Sequence, residues 1–170
     1  MLGSQWTPTK EPDVKALIVC VSVSHGNTRQ VADAMAAVLD ARVVEPEAVD
    51  EAALAACDLV GVGSGIYAMA FHPRIRAFVE SLPQVGDKRA FVYSTSGSQE
   101  LPMWPYARRM ARRLEAKGFD VLGTFSCRGW DTWLPLRVVG GLNKGRPNAA
   151  DLERARGFAS DMRERTSASR

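Results

Sequence analysis

Seven consecutive residues, Ser22-Val23-Ser24-His25-Gly26-Asn27-Thr28, gather three hydroxyls, an imidazole and an amide around one glycine. Such groups donate hydrogen bonds, and the glycine lets the backbone turn sharply among them. A helix opening at the end of this loop adds unpaired N–H groups and the positive end of its dipole. Together these suit an anion, and a phosphomonoester above all. The loop is neither the GxxxxGK(S/T) pattern nor GxGxxG. A hydroxyl-rich loop without lysine fits a phosphate held permanently better than one being transferred. An ordinary helix cap would explain Asn27 or Thr28 alone, but not this density of polar side chains.

Other chemistries find little support. His25 and His72 are the only histidines. His25 reads as a phosphate or backbone donor, because no acid or nucleophile stands near it in sequence. His72 precedes Pro73 and reads as the cap of a helix. Cys20, Cys57 and Cys127 are far apart, without CxxC or Cys/His spacing, so no metal site is expected. Cys127 reads as packing, as free thiols in apolar strands usually are. No side chain is required as a nucleophile or base, and none is assigned a catalytic role.

The elements that must position this loop follow from hydrophobic periodicity. Residues 15–22 (KALIVCVS), 41–45, 58–64 (DLVGVGS), 89–94 (RAFVYS) and 120–126 read as five strands. Apolar, β-branched runs of this kind mark strands covered on both faces. Between them, residues 27–40, 51–57, 104–117 and a stretch from Pro73 carry apolar stripes at helical spacing, and residues 150–164 form a last helix. Pro73 suits a first turn, and Gly118 a helix end. Strands alternating with helices imply an α/β fold, a doubly wound parallel sheet in three layers. Ligands bind such sheets beyond the carboxyl ends of the strands, where the winding reverses.

The chain has 170 residues, 46% apolar and 24% charged, with a net charge of +3. That accommodates one domain with a proper core. Residues 1–13 read as a disordered leader, 14–164 as the domain and 165–170 as a frayed tail. No secretory signal or run of ~20 apolar residues is recognisable, and the odd, scattered cysteines fit a reducing compartment. A cytoplasmic protein without a membrane span is expected. The modest charge does not call for nucleic acid, and no nucleic-acid module accompanies the arginines at 108–113.

At the first loop a resemblance becomes clear. SVSHGNT resembles the phosphate loop of flavodoxins, commonly Thr/Ser-x-Thr/Ser-Gly-Asn-Thr, with His25 as one inserted residue. Gly63-Ser64-Gly65-Ile66-Tyr67 is similar to the family's loop after the third strand, and Ser94-Thr95-Ser96-Gly97 to the one after the fourth. Residues 127–148 look like a segment of some small members. The resemblance spans roughly residues 15–164 and implies a five-stranded sheet in order 2-1-3-4-5 that binds FMN.

Under that resemblance, Ser22, Ser24, His25, Gly26, Asn27 and Thr28 hold the phosphate. Gly65, Ile66 and Tyr67, with Ser94, Thr95, Ser96, Gly97, Gly129, Trp130 and Asp131, surround the ring. Tyr67 and Trp130 are the aromatic candidates, while glycines let main-chain amides approach. Asp131 either bonds the cofactor or holds its own loop. The implied function is electron transfer between a reductase and a redox partner. Alternatives are an FMN-dependent oxidoreductase acting on a quinone or porphyrinogen-type acceptor, or a non-catalytic module in which His25 crowds the phosphate. The oligomeric state stays open.

The charge pattern departs from the family. Typical flavodoxins are acidic, whereas Arg108, Arg109, Arg112 and Arg113 form a basic strip here, with Arg128, Lys144 and Arg146 near the last loop. Close to the ring, such charge favours the reduced, anionic flavin; exposure and salt weaken the effect. The expectation is an acidic partner, or an acceptor reduced directly.

Overall fold

A computed structural model describes residues 14–23, 25–97, 105–129 and 143–169. The apolar run at Ala16–Val21 forms β1, buried from its second residue onward. Helix α1 spans Asn27–Leu39, β2 Arg42–Val44, α2 Glu51–Ala56 and β3 Leu59–Tyr67. A two-residue strand, β4 (Ala70–Phe71), precedes α3 (Pro73–Ser81). Then come β5 (Lys88–Ser96), α4 (Tyr106–Glu115), β6 (Phe119–Arg128) and α5 (Ala149–Ala168). The path through the sheet is β2-β1-β3-β5-β6, all parallel, with β4 antiparallel to β3. With the β4 arm set aside, this is the expected 2-1-3-4-5 order.

Alternation along the strands creates two cores. Leu17, Val19, Val21, Val60, Val62, Ala90 and Val92 face α3 and α4, meeting Ile75, Phe78, Val79, Met110 and Leu114. Ile18, Cys20, Leu59, Phe91, Tyr93 and Cys127 face α1 and α5, meeting Val31, Met35, Ala155, Ala159 and Met162. Two glycines make the second core possible. A Cβ at Gly61 would run into the Phe91 ring, and one at Gly63 into the Tyr93 ring. The strand thus gives its volume to two aromatics of its neighbour, and the buried Tyr93 hydroxyl donates to the Val19 carbonyl at 3.3 Å.

Several boundaries differ from the sequence expectation. β3 continues through the glycine-rich segment to Tyr67, because Gly63, Ser64 and Gly65 stay in register with β1 or β5. Leu122 is an extra residue between the Ala90–Val121 and Phe91–Gly123 pairs. α4 begins at Tyr106; Trp104 lies outside the described residues. The expected frayed tail from 165 is a correction: α5 runs to Ala168, with Thr166 fully buried and its hydroxyl bonded to the Met162 carbonyl at 2.7 Å. The leader at 1–13 lies outside the described residues. Gly118, at φ +90°, turns the chain after α4 where a Cβ would strike the Val85 carbonyl.

Candidate functional site

The carboxyl ends of β1, β3, β5 and β6 lie side by side, and their loops interlock. After β1, His25 and Gly26 both take left-handed backbone conformations (φ 53° and 68°) before α1 opens at Asn27. The inserted histidine is therefore absorbed in the turn, leaving the helix start in place. Successive N–H groups in such a turn form a concave anion site. Gly26 supplies no side-chain cap, and the first turn of α1 has no acidic residue. No carboxylate of that turn therefore competes with an anion for the helix end. Ser22 Oγ accepts the Arg29 N–H at 3.2 Å, which leaves the Ser22 proton available to donate.

Asn27 and Thr28 are buried and fasten the other loops. Thr28 Oγ1 lies 2.8 Å from Thr95 Oγ1, joining α1 to the end of β5. A Cβ at Gly129 would come within 2.8 Å of Asn27 Nδ2, so only glycine admits that side chain. The Gly129 N–H donates to the Ser96 carbonyl at 3.0 Å, and Asn143 Nδ2 to the Gly97 carbonyl at 2.6 Å. The first, fourth and last loops thus form one connected rim.

The third loop supplies the aromatic. Tyr67 is 37% exposed and lies over its own strand, its hydroxyl 3.0 Å from where a Gly65 Cβ would stand. Its ring meets His72 edge-on at 5.6 Å. Buried Ser64 donates to the Gly65 carbonyl at 2.7 Å and accepts the His72 N–H at 3.0 Å. His72 caps α3, its Nδ1 accepting the Arg74 N–H at 3.2 Å. That bond needs a neutral imidazole, and burial, with Arg74 and Arg76 adding to it, pushes the histidine pKa down. Arg74 also clamps Glu45 and Glu47, holding the Glu47 carboxyl at about 2 through its hydrogen bond.

Between Tyr67 and Ala70 the hairpin turns through only Ala68 and Met69, both at positive φ (46° and 62°). Two-residue turns of this kind favour Asn-Gly, and an L residue there costs about 1 kcal/mol. Met69→Gly is therefore expected to stabilise the protein by about 1 kcal/mol, raising the melting temperature by roughly 2–4 °C. Thermal denaturation monitored by circular dichroism checks it.

Most sequence-predicted site residues meet at this rim: Ser22, His25, Gly26, Asn27, Thr28, Gly65, Tyr67, Thr95, Ser96, Gly97 and Gly129. Ile66 does not present its side chain there; it packs against the α3/α4 core, so only its backbone serves the rim. Ser94 is fully buried, its hydroxyl donating to Ser126 Oγ at 3.2 Å. Ser24, Trp130 and Asp131 lie outside the described residues. Cys127 packs in the α1/α5 core, and burial lifts its thiol to about 12. Among the described residues no cluster of His, Cys, Asp and Glu could hold a metal, and no helix is long and apolar enough to cross a membrane.

Sequence reasoning missed the device that fastens the last loop. Asp151 is 1% exposed and accepts two bonds from Arg146 at 2.8 Å and one from Arg154 at 2.7 Å. It also forms a reciprocal capping box with Asn148. The Asn-x-x-Asp spacing was the available signal.

Comparison with known proteins agrees with this architecture. Residues 18–129 match the family model of the flavodoxin domain. An uncharacterized protein of Methanocaldococcus jannaschii is 35% identical over 149 residues, covering 88% of this chain and 98% of its own. Among solved structures, flavodoxin 2 of Bacillus cereus superposes with a TM-score of 0.67 at 21% identity, covering 89% of this chain and 99% of the other. An archaeal flavodoxin gives 0.65 at 20% identity, with 90% and 99% covered. The rubredoxin:oxygen oxidoreductase of Desulfovibrio gigas gives 0.68 at 16% identity; there 91% of this chain matches 36% of the other. By the domain match and by the connectivity of its sheet, the chain belongs to the flavodoxin domain family.

Proposed function

We propose that this protein binds FMN at the carboxyl end of its sheet and carries electrons between a reductase and a redox partner. The observation that most supports this is the opening of α1: two left-handed residues, no side-chain cap at Gly26 and no acid in the first turn. Those features fit a dianionic phosphate. Ser22, Ser24, His25, Gly26, Asn27 and Thr28 hold the phosphate, Asn27 and Thr28 also locking the loop against Gly129 and Thr95.

Tyr67 offers an aromatic face, while Gly65, Ile66, Gly97 and Gly129 offer main-chain groups to the ring, with Ser94, Thr95, Ser96, Trp130 and Asp131 completing its surroundings. When bound, FMN supplies one-electron and hydride chemistry, and the protein supplies binding and electrostatics. All three cysteines are free thiols, which suits a reducing cytoplasm.

The test is purification from cells followed by heat release of the chromophore and its identification by mass. Yellow protein that releases FMN at one per chain is expected. A colourless preparation that stays colourless on reconstitution with FMN would overturn the proposal. Consumption of NAD(P)H with a quinone, without added reductase, would move the reading to an enzyme.

A further inference from the structure

The solvent face of α4 is a patch of guanidinium groups, of which only Arg112 and Arg113, in the last turn, suit the helix dipole. Tyr106, Ala107, Met110, Ala111 and Leu114 are buried, so Arg108, Arg109, Arg112 and Arg113 all point outward. Arg108–Arg112 and Arg109–Arg113 are like-charged pairs at i,i+4, which repel. Arg108 and Arg109 also stand in the first turns, where the helix dipole disfavours a cation. Only Arg113 is compensated, by Glu80 of α3 at 2.6 Å. Arg108, Arg109 and Arg112 make no ion pair among the described residues, unlike Arg29, Arg74, Arg146, Arg154 and Arg156.

The patch starts beside the candidate site. Tyr106, in the first turn of α4, packs against Phe71 of β4 at 6.3 Å, and β4 follows directly from Tyr67 through its tight turn. Arg128, exposed, ends β6 opposite Ser96 in register, and Lys144 is exposed on the loop that fastens Gly97. Neither makes an ion pair among the described residues. Uncompensated positive charge therefore runs from the rim of the site along α4.

We infer that this face docks an acidic protein partner beside the cofactor edge, an inference that rests on the FMN electron-carrier reading. Complementary potentials at such a face steer encounter and set orientation. A nucleic acid fits less well, because the patch covers about two helical turns and the net charge is only +3. A lipid surface fits less well too: the exposed large apolar residues among those described are Val23 and Tyr67, at the site and not along α4.

The test uses FMN-reconstituted full-length protein and poly-L-glutamate as the acidic probe, titrated by fluorescence anisotropy at about 20 and about 200 mM salt. Wild type is expected to bind at low salt and weaken severalfold at high salt. Arg108→Glu combined with Arg112→Glu is expected to weaken binding at least tenfold. Lys15→Glu combined with Arg42→Glu, the same charge change at exposed positions elsewhere, is expected to weaken it less than twofold.

Equal losses in the two double variants, or no binding by wild type, would overturn the inference. So would tighter binding to a short DNA duplex or to phosphatidylglycerol vesicles than to poly-L-glutamate. Flavin absorbance is read on the same samples. Protein that binds the probe through α4 but no FMN refutes the cofactor reading alone; protein that keeps FMN yet ignores the probe refutes the docking face alone.

Discussion

Replacing Asn27 by aspartate is expected to weaken FMN binding by about two orders of magnitude while changing the stability of the apoprotein by no more than about 1 kcal/mol. The first effect is the larger for a physical reason. Asn27 is the first residue of α1, where no acid stands and Gly26 offers no side-chain cap. A carboxylate there interacts favourably with the helix dipole, worth about 0.3–1 kcal/mol to the empty protein. Once a phosphate dianion sits over the same turn, that carboxylate repels it. At about 5 Å and an effective dielectric near 20, each pair of charges costs roughly 3 kcal/mol. Solvent lowers that figure, and about 3 kcal/mol in all corresponds to roughly a hundredfold in affinity.

Isothermal titration with FMN and thermal melting of the apoprotein measure the two halves separately. The side chain changes little in size, but its amide donor beside Gly129 is lost, which offsets the gain from the helix dipole. A loss of apoprotein stability as large as the loss of binding free energy would point instead to a purely structural asparagine.

Asp151→Ala is expected to cost about 2–3 kcal/mol and to lower the melting temperature by roughly 5–10 °C. It removes the acceptor of Arg146 and Arg154 and half of the capping box at the start of α5. Arg146 and Arg154 are 38% and 61% exposed, so water replaces part of what they lose and the figure stays below that for a fully buried pair.

The pH dependence follows from the shift of this carboxyl. Burial alone raises its pKa, but the Asn148 N–H and the two arginines outweigh burial and hold it below the ordinary 3.8. A depressed folded value stabilises the protein above the unfolded pKa and is lost as pH falls through the folded one. The gap between wild type and variant should therefore be full at pH 7 and narrow below about pH 4. Urea denaturation at both pH values checks this; a gap that is constant down to pH 3 would mean that the ionised carboxylate contributes nothing.

Much of the fold was legible because its strands are covered on both faces and read as unbroken apolar runs, as at Ala16–Val21. Alternation with amphipathic helices then left few topologies. What was not legible depends on pairing. Gly65, Ile66 and Tyr67 look like a loop until register sets Gly65 beside Thr95 and the next two residues against Phe71 and Ala70, so β3 was read too short. The Ala68–Met69 turn carries none of the Asn or Gly that marks such turns, and β4 was missed with it.

At the site, the loop at 22–28 was readable from residue types alone. The bond from Thr28 to Thr95 joins groups 67 positions apart, and no local pattern announces it. Ile66 was assigned to the ring's surroundings by its place in a motif, whereas strand alternation turns its side chain into the core. The tail at 165–170 looked polar enough to fray, but the Thr166 hydroxyl finds its acceptor in the preceding turn and the helix continues.

The central claim is that the turn opening α1 grips a phosphate. Titrating apoprotein in parallel with FMN and with riboflavin, which lacks only that group, tests it most directly. FMN is expected to bind at least a hundredfold more tightly, with the difference shrinking as salt rises. Equal affinities for the two flavins would contradict the claim.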